Sequence, residues 1–149
     1  MKKANGMIHR SQNVLTIALV ALIILSFGSC ARKIRFEPSP VVPAAQGRIK
    51  IKKDNNDNYA LQVSITHLAE ARRLEPPKET YVVWVETERN GTKNIGQMKS
   101  SSGLFSKKLK ASLNAVTSYK PTRVIVTAEY DGSIQYPGPQ VVLITNRFY

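Results

Sequence analysis

Short segments in which apolar and polar residues alternate recur from residue 48 to residue 145, and they limit what this chain can fold into. In the first of them Ile49 and Ile51 alternate with cations, and the stretch 59–66 repeats the pattern. A period of two residues is typical of a β-strand with one buried face. Because turn-forming residues separate the segments and no stretch carries a long helical period, the pattern predicts an all-β domain.

Seven strands are predicted, and turn sequences separate them. The strands cover approximately residues 48–52, 59–66, 80–88, 93–99, 104–113, 124–130 and 141–145. The polar run 54–58 and the pair Asn90–Gly91 are favoured turn sequences, and a helical turn is predicted within 67–73. Short connections require antiparallel pairing, because parallel strands need long crossovers. We therefore expect an immunoglobulin- or fibronectin-like antiparallel β-sandwich over residues 46–146.

The residues before the sandwich follow the order of a secretory signal. A basic start precedes the run 14–25, in which Thr16 is the only polar residue, and small residues follow it. A helix over residues 14–28 covers only ~22 Å at the rise of an α-helix. The hydrocarbon core of a bilayer is ~30 Å thick. A signal helix within residues 1–29 is therefore favoured over a permanent transmembrane helix.

The segment Gly28-Ser29-Cys30 resembles the lipobox of bacterial lipoproteins, and Cys30 is the only cysteine of the chain. Phe27 departs from the lipobox pattern, in which an aliphatic residue is usual at that position. The resemblance implies that a peptidase removes residues 1–29 and that Cys30 becomes the lipid-bearing first residue of the mature protein. The alternative is an ordinary signal peptide followed by an unpaired cysteine.

The residues after Cys30 indicate in which membrane the lipid anchor lies. The segment 31–35 carries three cations, which suit anionic lipid headgroups. No aspartate follows the cysteine, so by analogy with lipoprotein sorting we expect the outer membrane, with the domain facing the periplasm. Three prolines lie between residues 38 and 43, and they favour an extended tether over residues 30–45.

The charge of the mature chain indicates an anionic partner. The signal holds three of the 22 basic residues and none of the ten acidic ones, which leaves the mature chain at +9. Such a charge favours contact with lipid headgroups, lipopolysaccharide phosphates or an envelope protein. Nucleic acid is not an expected partner, because no recognition helix or RNA-binding motif is present.

Six cations on the predicted strands are the candidate contacts for an anionic partner. The cations at positions 48, 50 and 52 alternate along one strand and point to the same side of it. The cations at positions 107, 108 and 110 lie on a later strand. The alternative is a solvated face, or a sheet edge that lysines protect from aggregation. The six residues are Arg48, Lys50, Lys52, Lys107, Lys108 and Lys110.

No catalytic residue, metal site or cofactor is predicted. Glu86 and Glu88 share a strand face with Trp84, but a glycosidase pair needs an apolar pocket that raises one pKa. His67 is the only histidine after the signal, which is too few ligands for zinc. The run 54–58 lacks the central Gly and the closing Glu of a calcium-binding EF-hand loop. We expect Trp84 to pack in the core.

Two stretches resemble the extracytoplasmic domain of anti-sigma-K factors. They are the segment 76–85, in which Tyr81 precedes Trp84 by three residues, and the segment 126–139 with its Pro137-Gly138-Pro139 ending. The resemblance implies the sandwich fold and an extracytoplasmic location. Anti-sigma-K factors also carry a cytoplasmic sigma-binding segment and a membrane-spanning helix, and neither is expected here.

The sequence as a whole predicts a lipid-anchored, non-catalytic binding or scaffolding protein of the cell envelope. An envelope sensor domain related to the anti-sigma factors is the first alternative. An envelope enzyme is the second, although no nucleophile with a partnering base, no metal cluster and no phosphate-binding loop supports it.

Overall fold

Two antiparallel sheets make up the domain. The computed structural model describes residues 31–103 and 106–149, and for residues 101–103 and 106–108 it describes the backbone alone. The predicted signal helix and Cys30 lie outside the described residues. One 3-10 turn, Ala71–Arg73, accompanies strands β1 Arg32–Arg35, β2 Gln46–Lys53, β3 Tyr59–Thr66, β4 Thr80–Thr87, β5 Thr92–Met98, β6 Ser101–Gly103, β7 Ser106–Thr117, β8 Pro121–Glu129 and β9 Val141–Ile144.

The strand order is that of an immunoglobulin-like sandwich. The first sheet has the order β1-β2-β3-β7-β6 and the second has the order β5-β4-β8-β9. Without β1, this is the A-B-E-D sheet opposite a C′-C-F-G sheet. The predicted fold class is confirmed, and the described residues hold nine strands where the sequence predicts seven. The two additional strands are β1 and β6.

The core lies between the sheets and is built from alternate residues of the strands. The Tyr81 hydroxyl donates a hydrogen bond to the carbonyl of Ala69 at 2.8 Å, and burial raises the pKa of this phenol to about 12. The central side chains, none of them more than 3 % exposed, are Ile49, Ile51, Leu61, Val63, Ile65, Tyr81, Val83, Val85, Val124 and Val126. Burying each aliphatic side chain of this kind contributes about 1.5–3 kcal/mol to folding.

The segment predicted as a tether belongs to the domain, which corrects the boundary at residue 46. Arg32–Arg35 pairs with β2 as an edge strand. Ser39, Val42 and Ala45 are buried. The Ser39 hydroxyl accepts a hydrogen bond from the Val42 amide at 2.9 Å, so the prolines here lie in a folded turn. Proline fixes φ without requiring an extended chain, and an apolar neighbour such as Val42 gains by burial.

Phe36 joins the two sheets at the β1 edge. Its amide donates to the Gly47 carbonyl of the first sheet at 3.2 Å, and the next amide, of Glu37, donates to the Ile144 carbonyl of the second sheet at 2.8 Å. Phe36 also forms an isolated bridge with Thr145. The chain therefore crosses from one sheet to the other directly after β1, and this crossing closes one edge of the sandwich.

Trp84 is fully buried, as the sequence predicts, but on the outer side of the second sheet. Its neighbours Val83 and Val85 face the core between the sheets, whereas Trp84 donates to the Thr127 hydroxyl at 2.8 Å. Asn94, the residue paired with Trp84 on β5, donates to two carbonyls of the loop after β8. That loop therefore lies over this face and forms a second, smaller packed layer.

Gly47 lies against the ring of Phe36, and this contact yields a testable prediction. A Cβ at residue 47 would come within 2.4 Å of the Phe36 ring. Gly47→Ala should therefore lower the free energy of unfolding by about 1–3 kcal/mol, the usual cost of overpacking. Urea denaturation measures the change. If the clash is the cause, the decreases in unfolding free energy of Gly47→Ala and of Phe36→Leu, added together, will exceed the decrease measured for the double variant. Strictly additive losses would contradict the explanation.

Candidate functional site

Five cations form one exposed surface on the outer side of β1 and β2. The register places Lys33 opposite Lys50 and Arg35 opposite Arg48. Directly opposed residues of an antiparallel pair project from the same side of the sheet. Lys52, two residues after Lys50, shares that side. We call this surface the basic face, and its members, all exposed, are Lys33, Arg35, Arg48, Lys50 and Lys52.

No acidic residue interrupts the outer side of the first sheet among its described side chains. Next to β2, strand β3 contributes Ala60, Gln62, Ser64 and Thr66 to this side. None of the five cations takes part in an ion pair within the described part of the chain. Like charges directly opposite one another are destabilising. An anion on this face would relieve that repulsion.

The cations of β7 stand apart from the basic face. Lys110 is exposed and pairs with Thr66, which pairs with Gln46 of β2, so it shares the outer side at a distance of two strands. At ~4.8 Å per strand, this places its backbone ~10 Å from β2. Lys107 and Lys108 lie on β7, but their side chains fall outside the described residues.

Lys33 and Arg35 are members of the site that the sequence pattern does not predict. They were expected to lie near lipid headgroups in a tether. The signal that could have revealed them is Ile34 between two cations, which repeats the alternation of residues 48–52. Four residues followed by prolines are a weak strand signal, because a strand this short gains stability only from its partner.

A shallow groove of about 590 Å³ continues the basic face at the end farther from Ala31. Arg35 and Arg48 contribute two guanidinium groups to it, and Ser64 and Thr66 contribute two hydroxyls. The segment 36–45 forms the opposite wall, which includes one carboxylate, that of Glu37, hydrogen-bonded to Asn146. Guanidinium groups bind carboxylates and phosphates with paired hydrogen bonds. The groove can therefore hold an acidic group at the end of the basic face.

The carboxylates at the end of β4 and in the loop after it are ion-paired. Glu86 contacts Arg123 at 3.6 Å and also contacts Arg147. The Glu88 carboxylate lies 3.9 Å from the Lys120 ammonium and is exposed. Glu86 is held between two guanidinium groups, whereas the acid of a glycosidase pair lies in an apolar pocket. The arrangement does not match a pair of glycosidase carboxylates.

The remaining sequence candidates occupy turns. His67 follows β3 with a φ of 57° and is exposed. The Asp54 carboxylate accepts hydrogen bonds from the amides of Asn56 and Asn58 at 2.8 Å each. These bonds hold the pKa of Asp54 below its usual range, the Asn58 amide having the largest effect. Over the described residues, no group of three or more potential metal ligands comes together.

Comparison with protein-family models, with curated proteins and with solved structures finds no match to this chain. Within residues 31–103 and 106–149, no helix is long and apolar enough to cross a membrane.

Proposed function

We propose that this protein is a lipid-anchored component of a bacterial cell envelope whose β-sandwich binds an anionic envelope component. The observation that carries the binding proposal is the basic face, which is free of acidic residues on the described part of its sheet. The signal order and the lipobox of residues 1–30 support the anchor. Several acyl chains on Cys30 give stable attachment, since one chain alone binds a bilayer only marginally.

The shape of the basic face favours an extended anion. The positions from Arg48 to Lys52 span ~14 Å along β2 at ~3.4 Å per residue. Lys33 and Arg35 lie one strand away, which makes the face two strands wide. Phosphates or carboxylates repeated along a polymer can contact several of these cations at once. Lipopolysaccharide, with phosphates near its lipid end, is a probe of this chemistry.

Reversing three charges of the basic face should weaken binding to lipopolysaccharide at least tenfold. The triple variant Arg48→Glu, Lys50→Glu, Lys52→Glu replaces attraction with repulsion at exposed contacts worth a few tenths to 1 kcal/mol each. Binding of the lipidated protein to purified lipopolysaccharide is measured at increasing salt. Wild-type affinity should fall as salt rises, because exposed charge contacts are screened.

A matched variant separates the basic face from total charge. Arg72→Glu, Arg73→Glu, Lys99→Glu makes the same change in net charge at exposed residues outside the basic face. Because it also breaks the exposed ion pairs of Arg72 with Glu79 and of Arg73 with Glu70, circular dichroism verifies that the variant is folded. It should retain affinity within about threefold of wild type, since the surface next to the ligand is unchanged. Equal weakening in both triple variants would contradict a role for the basic face, as would unchanged binding in the first.

A further inference from the structure

The described chain begins at one end of the sandwich. Arg32 pairs with Ile51, so Ala31 lies level with the end of β2. The β4–β5 loop and the β7–β8 loop lie at the same end, because Thr87 pairs with Pro121 and Tyr59 pairs with both Lys53 and Thr117. We call this end the proximal pole. It comprises Arg32 and the segments 52–58, 86–93, 116–120 and 146–149.

Aromatic rings and cations are in contact at the proximal pole. The rings of Phe148 and Tyr149 meet edge to face with centroids 5.4 Å apart. The Arg32 guanidinium lies 4.7 Å and the Lys120 ammonium 5.3 Å from the centroid of Tyr149. A second pair has the Lys93 ammonium 5.4 Å from the centroid of Tyr119. Cation–π contacts of this kind keep a positive charge next to an aromatic ring.

The same pole exposes large apolar side chains. Tyr119 is 38 % exposed, Tyr149 49 % and Val116, at the end of β7, 68 %. A tyrosine ring is apolar and its hydroxyl is polar, which suits the headgroup level of a bilayer. Cations near an anionic leaflet contribute about 1 kcal/mol each.

The acidic side chains at this pole are already neutralised or hydrogen-bonded. Asp57 contacts the Lys53 ammonium at 2.5 Å, and Glu86 and Glu88 are paired as described above. Asp54 accepts hydrogen bonds from the amides of its own turn. Arg32, Lys52 and Arg89 have no carboxylate partner in the described part of the chain. These three cations outnumber the one carboxylate without an ion pair, that of Asp54, so the pole keeps a net positive charge.

We propose that the proximal pole rests on an anionic lipid surface, with Tyr119 and Tyr149 at the level of the headgroups. Cys30 directly precedes Ala31, so a lipid on Cys30 holds this pole, and no other part of the sandwich, at the bilayer. The proposal rests on the lipid anchor of the proposed function and adds an orientation to it. The basic face then runs away from the membrane, with the groove at its far end.

Single tryptophans introduced at the two ends of the sandwich test this orientation. Tyr119→Trp and Tyr149→Trp label the proximal pole. Tyr130→Trp is the matched control: Tyr130 is 66 % exposed and has the Lys78 ammonium 3.9 Å from its ring centroid, but it follows Glu129 at the opposite end of β8. Trp84 is fully buried and supplies the same background in every variant.

Each lipidated variant is reconstituted in vesicles of phosphatidylglycerol and brominated phosphatidylcholine, and tryptophan quenching by bromine is measured. Quenching of Tyr119→Trp and Tyr149→Trp should exceed that of Tyr130→Trp at least twofold, and this difference should shrink without phosphatidylglycerol. Equal quenching at all three sites would overturn the proposal. The proposal would also be overturned if the tryptophan emission of Tyr119→Trp shifted with the density of protein on the vesicles and did not respond to bromine. Such a shift would indicate contact with a second copy of the protein.

Mass spectrometry of the N-terminal peptide accompanies the quenching measurement and separates the two proposals. A lipid on Cys30 together with equal quenching would contradict the orientation alone. A mature N-terminus without lipid would contradict the anchor, and with it the orientation that depends on the anchor.

Discussion

A Cys30→Ser variant is expected to incorporate no labelled palmitate and to keep its signal segment, whereas the wild type gains the label and loses residues 1–29. Lipid attachment needs a thiolate nucleophile, and a serine hydroxyl is not ionised near neutral pH. The chain offers no second cysteine to take over the role. Labelling in a bacterial host, followed by the mass of the purified protein, measures both effects.

The neighbouring residue supplies the control for that experiment. Ser29→Ala keeps a small residue beside Cys30 and should retain both label and cleavage. Loss of the label in both variants would indicate that secretion fails as a whole, and it would contradict the specific role of Cys30. Label that persists in Cys30→Ser would rule out the lipobox interpretation.

Trp84→Ala should lower the free energy of unfolding by about 3–5 kcal/mol, the range for removing a large buried aromatic side chain. Trp84 is fully buried on the outer side of the second sheet, beside Asn94, which is hydrogen-bonded to the loop after β8. The substitution leaves a cavity there and also removes the donor to the Thr127 hydroxyl. Urea denaturation followed by circular dichroism measures the loss.

Two further variants separate the causes of that loss. Thr127→Val removes only the hydrogen-bond acceptor of the indole and should cost about 1–3 kcal/mol, the price of an unpartnered buried donor. Tyr136→Ala truncates a side chain that is 80 % exposed and should stay within about 0.5 kcal/mol of wild type. A loss below 1 kcal/mol for Trp84→Ala would show that the outer layer contributes little to stability.

Two strands could be predicted from the sequence almost to the residue, one from its alternation and the other from its β-branched and aromatic residues. The stretch 59–66 coincides with β3, and 80–88 differs from β4 by one residue. The Asn90–Gly91 turn is present, with Gly91 at a φ of 68°, but the loop extends from residue 88 to residue 91. Such details depend on hydrogen bonds between the Thr87 side chain and the loop backbone, which alternation does not reveal.

Long-range pairing explains what could not be predicted. β1 has four residues, and Arg32–Arg35 forms a strand because β2 offers an edge to pair with. Trp84 was correctly expected to be buried, but it lies on the side opposite Val83 and Val85, which a distant loop covers. Three of the five cations of the basic face followed from the period of β2, and Lys33 and Arg35 joined them only through the register of β1.

The crossing at Phe36 has a mechanical consequence. A protein held by lipid at one end and by a bound polymer at the other is pulled along its strands. Hydrogen bonds between antiparallel strands lie perpendicular to the strand direction. Tension entering at Ala31 therefore shears the β1–β2 bonds together instead of opening them one after another. Beyond Arg35, the amide of Glu37 passes part of the load to the Ile144 carbonyl, so both sheets resist the pull.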